Sequence, residues 1–462
     1  MKEDVIRILC SWSESESDLY PTSELLEWIN ERNNRIKVKI CESSLGPEDY
    51  WFFDEKSGVI ENRNKKFFSI SGIKHYINET VVSEQPIIIQ PEIGFLGIIC
   101  REFNGVMHFL MQAKVEPGNV NHVQISPTTQ ATRSNFDRVH GGREPHYFQY
   151  FKNSKKYKPI FDQVQSEQGT RFYKKRNRNI MIRVDEDIEV LPGFHWMTLG
   201  QIKQLMKIDN LVNMDTRTVL ACIPFSTYRY DDSELGIIRS RFGDESLFNS
   251  LFMENIQDSI ATVYNHLNNV KMFTSIHSEL VPLRALRNWK CSNAGIFCLE
   301  NASFDVKFFD IEIYGREVQH WKQPMFCSKG IGLFGLFAAK HNNVTMFLIS
   351  VRAEVGTFDT IEIGPTISIE SSQDFPDDKV TKKFLDMLEA KKGIIKDSVF
   401  SEEGGRFYHE QNRNVIIETD YIAPQELPDG FFWMSYSSLN CLVQINNCLT
   451  IQLRNLLSTL DI

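Results

Sequence analysis

The sequence predicts an α+β protein made of two copies of one domain, each a twisted, mostly antiparallel sheet with helices packed against it. The main observation is an internal repeat: residues 323–366 align with residues 85–128 without a gap, and 14 of these 44 positions are identical. Two unrelated segments of ordinary composition should share about three. The second observation is that each copy has a helix-periodic segment on either side of a β-rich stretch. An offset of 238 residues indicates duplicated domains and not a solenoid.

The duplication extends beyond this block. Segment 166–169, Ser-Glu-Gln-Gly, recurs as 401–404, Ser-Glu-Glu-Gly, and Trp51 has its counterpart in Trp289. We therefore predict two domains, residues 1–224 and 225–462. Each copy is a control for the other: shared residues indicate scaffold, and unshared polar residues are candidates for function.

Helices bound each copy. The apolar residues of segment 24–33 fall on one helical face, and the same pattern returns around Val263. Near the end of the first copy, Thr198 followed by Gln201 predicts a capping box, and Ser435 begins the matching helix of the second copy.

The β-rich stretch contains a strong hairpin signal. Asn104-Gly105 separates two strand-like runs, 94–103 and 106–116, and favours a type I′ turn. The second copy has Asn342-Asn343 at this place, which can also take positive φ. A third run covers 120–126, and the segment from Pro224 to about Ile256 is predicted to be a helical connector.

Composition excludes several classes of protein. A chain of 462 residues with 42% hydrophobic and 24% charged residues is typical of globular domains. Its net charge of −9 argues against general binding of nucleic acid or anionic membranes. The N-terminal Met-Lys-Glu-Asp begins no signal peptide, and no run of about 18 apolar residues could span a bilayer. Nine cysteines without a Cys-x-x-Cys pair indicate reduced thiols and predict a cytoplasmic protein.

The first copy carries a polar set on its strands that the second copy has changed. Strand alternation places Gln112, Lys114 and Glu116 on one face, and His122, Gln124 and Ser126 share a face of the next run. A solvated sheet face would explain this equally well. The counterparts of these six residues are, in the same order, Ser350, Arg352, Glu354, Thr360, Glu362 and Gly364.

Two further polar segments differ between the copies. The run 130–136 contains Arg133, which its counterpart has lost, and the stretch 171–179 has five positive charges where its counterpart has a net charge of one. A diphosphate needs paired donors and positive charge, for which the planar fork of Arg is well suited. We therefore place the diphosphate near Arg133 and Arg171, although a charge run is more often a solvated face.

Three more residues have two open interpretations. Trp51 and Trp289 could stack on a nucleobase or a sugar, or they could be core residues. Asp215, which becomes Gln452 in the second copy, is either a helix N-cap or a carboxylate of the site. The sequence contains no P-loop, no Rossmann glycine motif, no nucleophile elbow and no His-Glu-x-x-His helix.

Several long segments resemble the NDP-hexose 2,3-dehydratase family. They are residues 109–119 (Phe-Leu-Met-Gln-Ala-Lys-Val-Glu-Pro-Gly-Asn), 123–135 (Val-Gln-Ile-Ser-Pro-Thr-Thr-Gln-Ala-Thr-Arg-Ser-Asn), 165–179 and 196–219. The resemblance implies an enzyme of deoxysugar biosynthesis that acts on dTDP-4-keto-6-deoxyglucose. It also implies tandem Nudix-like domains and a homodimer. The sequence lacks the carboxylate helix of Nudix hydrolases, so neither pyrophosphate hydrolysis nor a metal is implied, and we expect no cofactor.

The resemblance implies loss of the carbon 2 hydroxyl as water, giving a 3,4-diketo-2,6-dideoxy sugar. This reaction needs an acid, a base and a group that stabilises an enolate. The candidate catalytic residues are Lys114, Glu116, His122 and Gln130. The candidate substrate-binding residues are Trp51, Gln112, Gln124, Ser126, Thr132, Arg133, Ser134, Asn135, Phe136, Ser166, Arg171, Arg176, Asn177 and Asp215.

The second copy could keep a nucleotide pocket, for which the candidates are Trp289, Ser401, Gly405 and Arg406. We expect the first copy to be active and the second to be a diverged copy. Two other functions remain open: a nucleotide-sugar hydrolase, and a non-catalytic protein that binds nucleotide sugars.

Overall fold

A computed structural model of the chain describes residues 1–65, 67–132, 144–153, 155–252, 257–300, 302–315 and 318–462. The predicted residues Arg133, Ser134, Asn135 and Phe136 lie outside the described residues. The helices are α1 (Lys2–Ser13), α2 (Thr22–Arg35), α3 (Phe148–Lys152), α4 (Leu199–Leu205), α5 (Met214–Ala221), α6 (Asp232–Arg239), α7 (Glu245–Phe252), α8 (Gln257–Phe273), α9 (Lys379–Glu389), α10 (Tyr436–Val443) and α11 (Ile451–Ser458). Short 3-10 helices cover Leu283–Ala285 and Pro424–Glu426.

Each half contributes the same series of strands. Those of the first half are β1 (Val38–Ser43), β2 (Trp51–Asp54), β3 (Val59–Asn62), β4 (Ser69–Ile77), β5 (Thr80–Ile89), β6 (Ile93–Phe103), β7 (Val106–Val115), β8 (Val123–Ser126), β9 (Thr129–Ala131), β10 (Pro159–Ser166), β11 (Arg176–Arg183) and β12 (Phe194–Thr198). Those of the second half are β13 (Ile276–Val281), β14 (Trp289–Ser292), β15 (Gly295–Cys298), β16 (Phe304–Ile313), β17 (His320–Ser328), β18 (Ile331–His341), β19 (Val344–Ala353), β20 (Ile361–Gly364), β21 (Ile367–Ile369), β22 (Ile394–Ser401), β23 (Gln411–Glu418) and β24 (Phe431–Ser435).

Two seven-stranded sheets repeat one topology. The first half has the order β10-β11-β6-β7-β12, with β8 paired to β7 and β9 to β6, and the second half has the equivalent order β22-β23-β18-β19-β24. Only the pairs β6–β11 and β18–β23 are parallel among the described pairs of these sheets. The predicted α+β class with duplicated, mostly antiparallel sheets is confirmed.

Two five-stranded sheets exchange strands between the halves. Strand β1 of the first half pairs with β16 of the second, and β13 of the second half pairs with β4 of the first. The register of Val38 opposite Ile313 matches that of Ile276 opposite Ile77. Each half therefore completes a sheet of the other, which the repeat in the sequence did not reveal.

The local signals for turns and caps are confirmed. Asn104 and Gly105 have φ values of 51° and 82°, and Asn342 and Asn343 have values of 50° and 58°. Thr198 forms a full capping box at α4. The connector between the copies contains α6 and α7, as predicted. The strand expected at 120–126 is shorter, however, because His122 takes a φ of 61° and β8 begins only at Val123.

The tryptophans proposed for stacking are core residues. Trp51 is 1% exposed and its ring lies 4.7 Å from that of Phe68, measured between centroids. Trp289 is also buried, packs on Phe304, and donates its indole N–H to the carbonyl of Glu84 at 3.1 Å. Of the two interpretations, the structure favours the core. Among the described helices, none is long and apolar enough to cross a membrane.

Candidate active site between the two halves

A lysine and a glutamate form the centre of the first site at the end of β7. Lys114 Nζ lies 2.9 Å from Glu116 Oε1, and both side chains are largely buried. Gln130, on β9, places its amide nitrogen 3.4 Å from the same carboxylate oxygen. Three of the four predicted catalytic residues therefore meet. They do so because β8 and β9 return the chain beside β7 and β6.

The start of α5 adds a second carboxylate. Asn213 caps this helix by accepting from Thr216 N at 2.8 Å, and its side-chain amide donates to Ser126 Oγ at 2.8 Å and to Gln130 Oε1 at 3.3 Å. Asp215 follows in the first turn and is 3% exposed. The N-cap interpretation of Asp215 is therefore wrong, because Asn213 is the N-cap, and a role of its carboxylate in the site stays a prediction.

Burial raises the pKa of Asp215 well above its usual range. The negative charges of Glu167, Glu403 and Glu116 raise it further, whereas Lys114 lowers it. These interactions place the four carboxylates and the lysine in one electrostatic cluster. The loss of a charge partner would matter here, because water screens buried charges only weakly.

A loop of the second half completes the first site. Gly118 N donates to Gly404 O at 2.7 Å, and His409 N donates to Gly118 O at 2.9 Å. A Cβ atom on Gly118 would lie 1.6 Å from Phe407 O, so no other residue fits between the two chain segments. The loop 402–410 is thereby fixed against the turn that follows Glu116.

Arg406 is the cation of this loop. Its Nη2 donates to Gln90 Oε1 at 3.2 Å and its Nη1 to Gly405 O at 2.9 Å. The guanidinium also lies 4.4 Å from the ring centroids of both Phe67 and Phe68. Stacking of this kind holds the planar group in one orientation.

Lys175, which belongs to the first half, is another buried cation. Burial lowers its pKa to about 8, while Glu92 and Glu167 act in the opposite direction. Its Nζ donates to Glu92 O at 2.7 Å. Glu167 in turn accepts a hydrogen bond from the side chain of Asn177, and burial raises the pKa of its carboxyl.

The residues of the second half that correspond to the first site form a second site with different side chains. Arg352 donates to Ser350 Oγ at 2.8 Å and to Thr366 O at 3.1 Å. Glu354 accepts from Gln452 Nε2 at 3.0 Å, and burial raises its pKa to about 7. The loop of the first half, with Gly169, packs against the Glu354 carboxylate.

Arg171 belongs to this second site, and the structure does not bring it together with Lys114 and Glu116. Its Nη2 lies 2.7 Å from Glu370 Oε2 and 3.3 Å from Glu410 Oε1, and the side chain is 1% exposed. Two carboxylates therefore neutralise its charge. A cation held in this way is unsuited to bind a diphosphate.

Two of the residues predicted to form a second nucleotide pocket in the second half contact the first half instead. Ser401 accepts from Gln124 Nε2 at 2.9 Å and Arg406 donates to Gln90 Oε1, so both contact the first half. Gly405 O, in contrast, accepts from Gln323 Nε2 of its own half at 2.7 Å. Trp289 lies in the core.

The remaining predicted residues divide between the two sites and the surface. His122 is exposed in the turn before β8 and is not part of the cluster. Ser166 donates to Glu362, and the Arg176 guanidinium lies 4.0 Å from the ring centroid of Phe358, so both contact the second half. Gln112 on β7 is half-buried, and Thr132 follows β9.

Sequence reasoning missed Glu403, Arg406 as a residue of the first site, and Lys175. A signal for Glu403 was present, because the second copy has Glu where the first has Gln168. It pointed to the wrong half, since nothing in the repeat shows that each loop crosses to the other copy.

Comparison with known proteins identifies the family. A family model described as NDP-hexose 2,3-dehydratase matches residues 22–223 and again residues 260–460. A dTDP-4-dehydro-6-deoxy-alpha-D-glucopyranose 2,3-dehydratase of Saccharopolyspora spinosa is 36% identical over 450 residues, covering 96% of this chain and 92% of the relative. Enzymes of the same description from Streptomyces violaceoruber and Amycolatopsis orientalis are 35% and 30% identical, covering 93% and 98% of this chain and 95% and 93% of the relatives.

The chain belongs to the NDP-hexose 2,3-dehydratase family.

The two family matches agree with the duplication. The first begins with α2 and ends after α5, and the second begins within α8 and ends after α11. Helices α1, α6 and α7 of this dehydratase therefore lie outside both matches.

The first site of the dehydratase has the groups that proton transfer requires. It combines a carboxylate paired with an ammonium group, an amide donor, and further carboxyls whose pKa is raised by burial. Because these carboxyls have different surroundings, chemically similar groups can differ in protonation state. Among the described residues, no group of three or more His, Cys, Asp or Glu side chains is arranged to hold a metal ion.

Proposed function

We propose that this chain is a dTDP-4-dehydro-6-deoxyglucose 2,3-dehydratase whose chemistry takes place in the first site. The observation that carries the proposal is the buried pair of Lys114 and Glu116, joined by Gln130 and Asp215. The names of the similar enzymes supply the substrate.

Glu116 is the proposed base. The 4-keto group acidifies the hydrogen on carbon 3, so a carboxylate can remove it and leave an enolate on the oxygen of carbon 4. Lys114 Nζ lies 2.9 Å from Glu116 Oε1, so the ammonium group is next to the oxygen that would take the proton.

Lys114 and Gln130 are the proposed enolate stabilisers. The negative charge that develops on the carbon 4 oxygen needs donors that are already in place and shielded from water. The ammonium group of Lys114 and the amide of Gln130 both reach Glu116 Oε1, so both lie next to the position of the abstracted proton.

The second half of the reaction expels the hydroxyl from carbon 2. The enolate electrons form the bond between carbons 2 and 3, the carbon 4 carbonyl is restored, and the hydroxyl leaves as water after taking a proton. The product is an enol that tautomerises to the 3,4-diketo sugar. No step changes the oxidation state of a cofactor.

The diphosphate is proposed to lie toward residues 130–136, where Arg133 supplies a positive charge. The homodimer, the cytoplasmic location and the absence of nucleic-acid and membrane partners stay predictions.

The test is to incubate the purified protein with dTDP-4-keto-6-deoxyglucose and to follow the carbon 3 hydrogen and the carbon 2 hydroxyl by NMR. We expect loss of water and no release of phosphate or dTMP. Glu116→Gln should slow the reaction at least 100-fold, within the usual range for a proton-transfer group. Release of a nucleotide monophosphate would instead indicate a hydrolase.

A further inference from the structure

Two of three pairs of equivalent carboxyl positions distinguish the first site from the second. The first site has Glu116, Asp215 and Glu403, whereas the second has Glu354, Gln452 and Gln168. Two of the three carboxyls are thus replaced by amides of nearly the same shape. An amide keeps the packing but cannot take or give a proton in catalysis, so these positions differ in acid–base capacity and little else.

The geometry assigns Glu403 to the first site although it belongs to the second half. Gly404, which follows it, receives the hydrogen bond from Gly118 N, two residues after Glu116. The carboxylate of Glu403 is held within its own loop by Gly405 N, which donates to Oε1 at 3.1 Å. Its position is therefore set by the backbone hydrogen bonds of Gly404 and Gly405, the two residues that follow it.

The equivalent loop of the first half shows what this position does without the carboxyl. Gln168 is 1% exposed, and neither its amide nitrogen nor its oxygen has a hydrogen-bond partner among the described residues. The fold therefore accepts an amide here without using it. The carboxyl of Glu403 is not required to build the loop.

We propose that Glu403 is the general acid that protonates the departing carbon 2 hydroxyl, an inference that rests on the proposed dehydration. The O–H bond of the Glu403 carboxyl breaks as the bond between carbon 2 and its oxygen breaks, and the hydroxyl leaves as water. Glu403 becomes a carboxylate and is reprotonated when the enol product loses its hydroxyl proton or from solvent. The half of the chain with the altered site thus supplies a catalytic residue to the other half.

The two carboxyls have environments suited to opposite roles. Glu116 has the ammonium group of Lys114 at 2.9 Å. Burial raises the pKa of Glu403 to about 7; the negative charges of Glu116 and Glu167 add to this rise, whereas Arg406 and Lys114 oppose it. A fraction of Glu403 is therefore protonated at neutral pH, while the neighbouring carboxylate accepts the proton from carbon 3.

The experiment uses Glu403→Gln, which introduces the residue that the other loop carries naturally. Three rates are measured in the full-length protein: loss of water from dTDP-4-keto-6-deoxyglucose, exchange of the carbon 3 hydrogen in D2O, and loss of fluoride from the 2-deoxy-2-fluoro analogue. Fluoride leaves without being protonated. We expect water loss to fall 100-fold or more, with exchange and fluoride loss kept within about ten-fold of wild type.

The matched control is Glu410→Gln, which makes the same change in the same loop but on the side that contacts Arg171. It should keep the rate of water loss, and melting temperatures show whether either variant is misfolded.

The possible outcomes separate the two proposals. If the wild type neither exchanges the hydrogen nor loses water, the proposed function is wrong. If the wild type is active but Glu403→Gln keeps at least a tenth of its rate of water loss, the assignment of the acid is wrong. Equal loss of all three rates in Glu403→Gln would also overturn it, because such a residue would not act on the leaving group alone.

Discussion

Replacing Arg171 by Met should destabilise the protein without a direct effect on substrate binding. The side chain is almost completely inaccessible, and its guanidinium contacts the carboxylates of Glu370 and Glu410 while lying 4.3 Å from the centroid of the Phe304 ring. Met fills most of the volume but leaves both carboxylates without their cation. Breaking a buried ion pair by removing one partner costs about 3–5 kcal/mol.

The loss should depend on pH. Burial raises the pKa of Glu410 to about 7 in the folded protein, although Arg171 lowers it. Without Arg171 the pKa rises further above its value in the unfolded chain. An acid whose pKa is raised by folding contributes its greatest stability below the unfolded value and loses that contribution as pH rises. The deficit of Arg171→Met should therefore be larger at pH 8 than at pH 5, where Glu410 is already protonated.

The assay is urea unfolding at pH 5 and pH 8, with the Michaelis constant measured where both proteins are folded. Arg178→Met is the matched control, since Arg178 forms an exposed pair with Asp162 at 2.6 Å. Exposed pairs contribute about 0–1 kcal/mol. A change below about 1 kcal/mol for Arg171→Met at pH 8, or a raised Michaelis constant with unchanged stability, would refute the placement of Arg171 in a structural ion-pair network.

Three further results are expected. Glu354→Gln should leave turnover within a few-fold, because the second site has Gln452 and Gln168 where the first has Asp215 and Glu403, and equal losses in Glu354→Gln and Glu116→Gln would contradict the inequality of the sites. Turnover should decrease as pH rises through about 7, where Glu403 loses the proton it must donate. This decrease should be absent for the fluoro analogue, and if it persists there, a group other than Glu403 causes it. EDTA should leave turnover unchanged, given the absence of a Nudix carboxylate helix in the sequence, and restoration of lost activity by magnesium or zinc would overturn this expectation.

Local structure and the family resemblance could be predicted without the structure. Asn104-Gly105 set a hairpin because both residues tolerate positive φ, and Thr198 with Gln201 set a helix start because their side chains bond to nearby backbone groups. The repeat determined the duplicated α+β fold. Lys114 and Glu116 could be named from strand alternation, which fixes the side chains that share a face, and Gln130 from the polar run that follows a turn.

The assignment of each loop to a site could not be predicted, because it depends on how the two halves pack together. Strands β1 and β13 cross between the halves, and the loops with Arg171 and Arg406 cross with them. Two loops of related sequence can pair with either copy as far as local signals are concerned, because those signals act over a few residues. The pairing of the loops depends on packing between residues that lie more than 200 positions apart in the chain. At Gly118, for example, the loop of the other half approaches so closely that no side chain would fit.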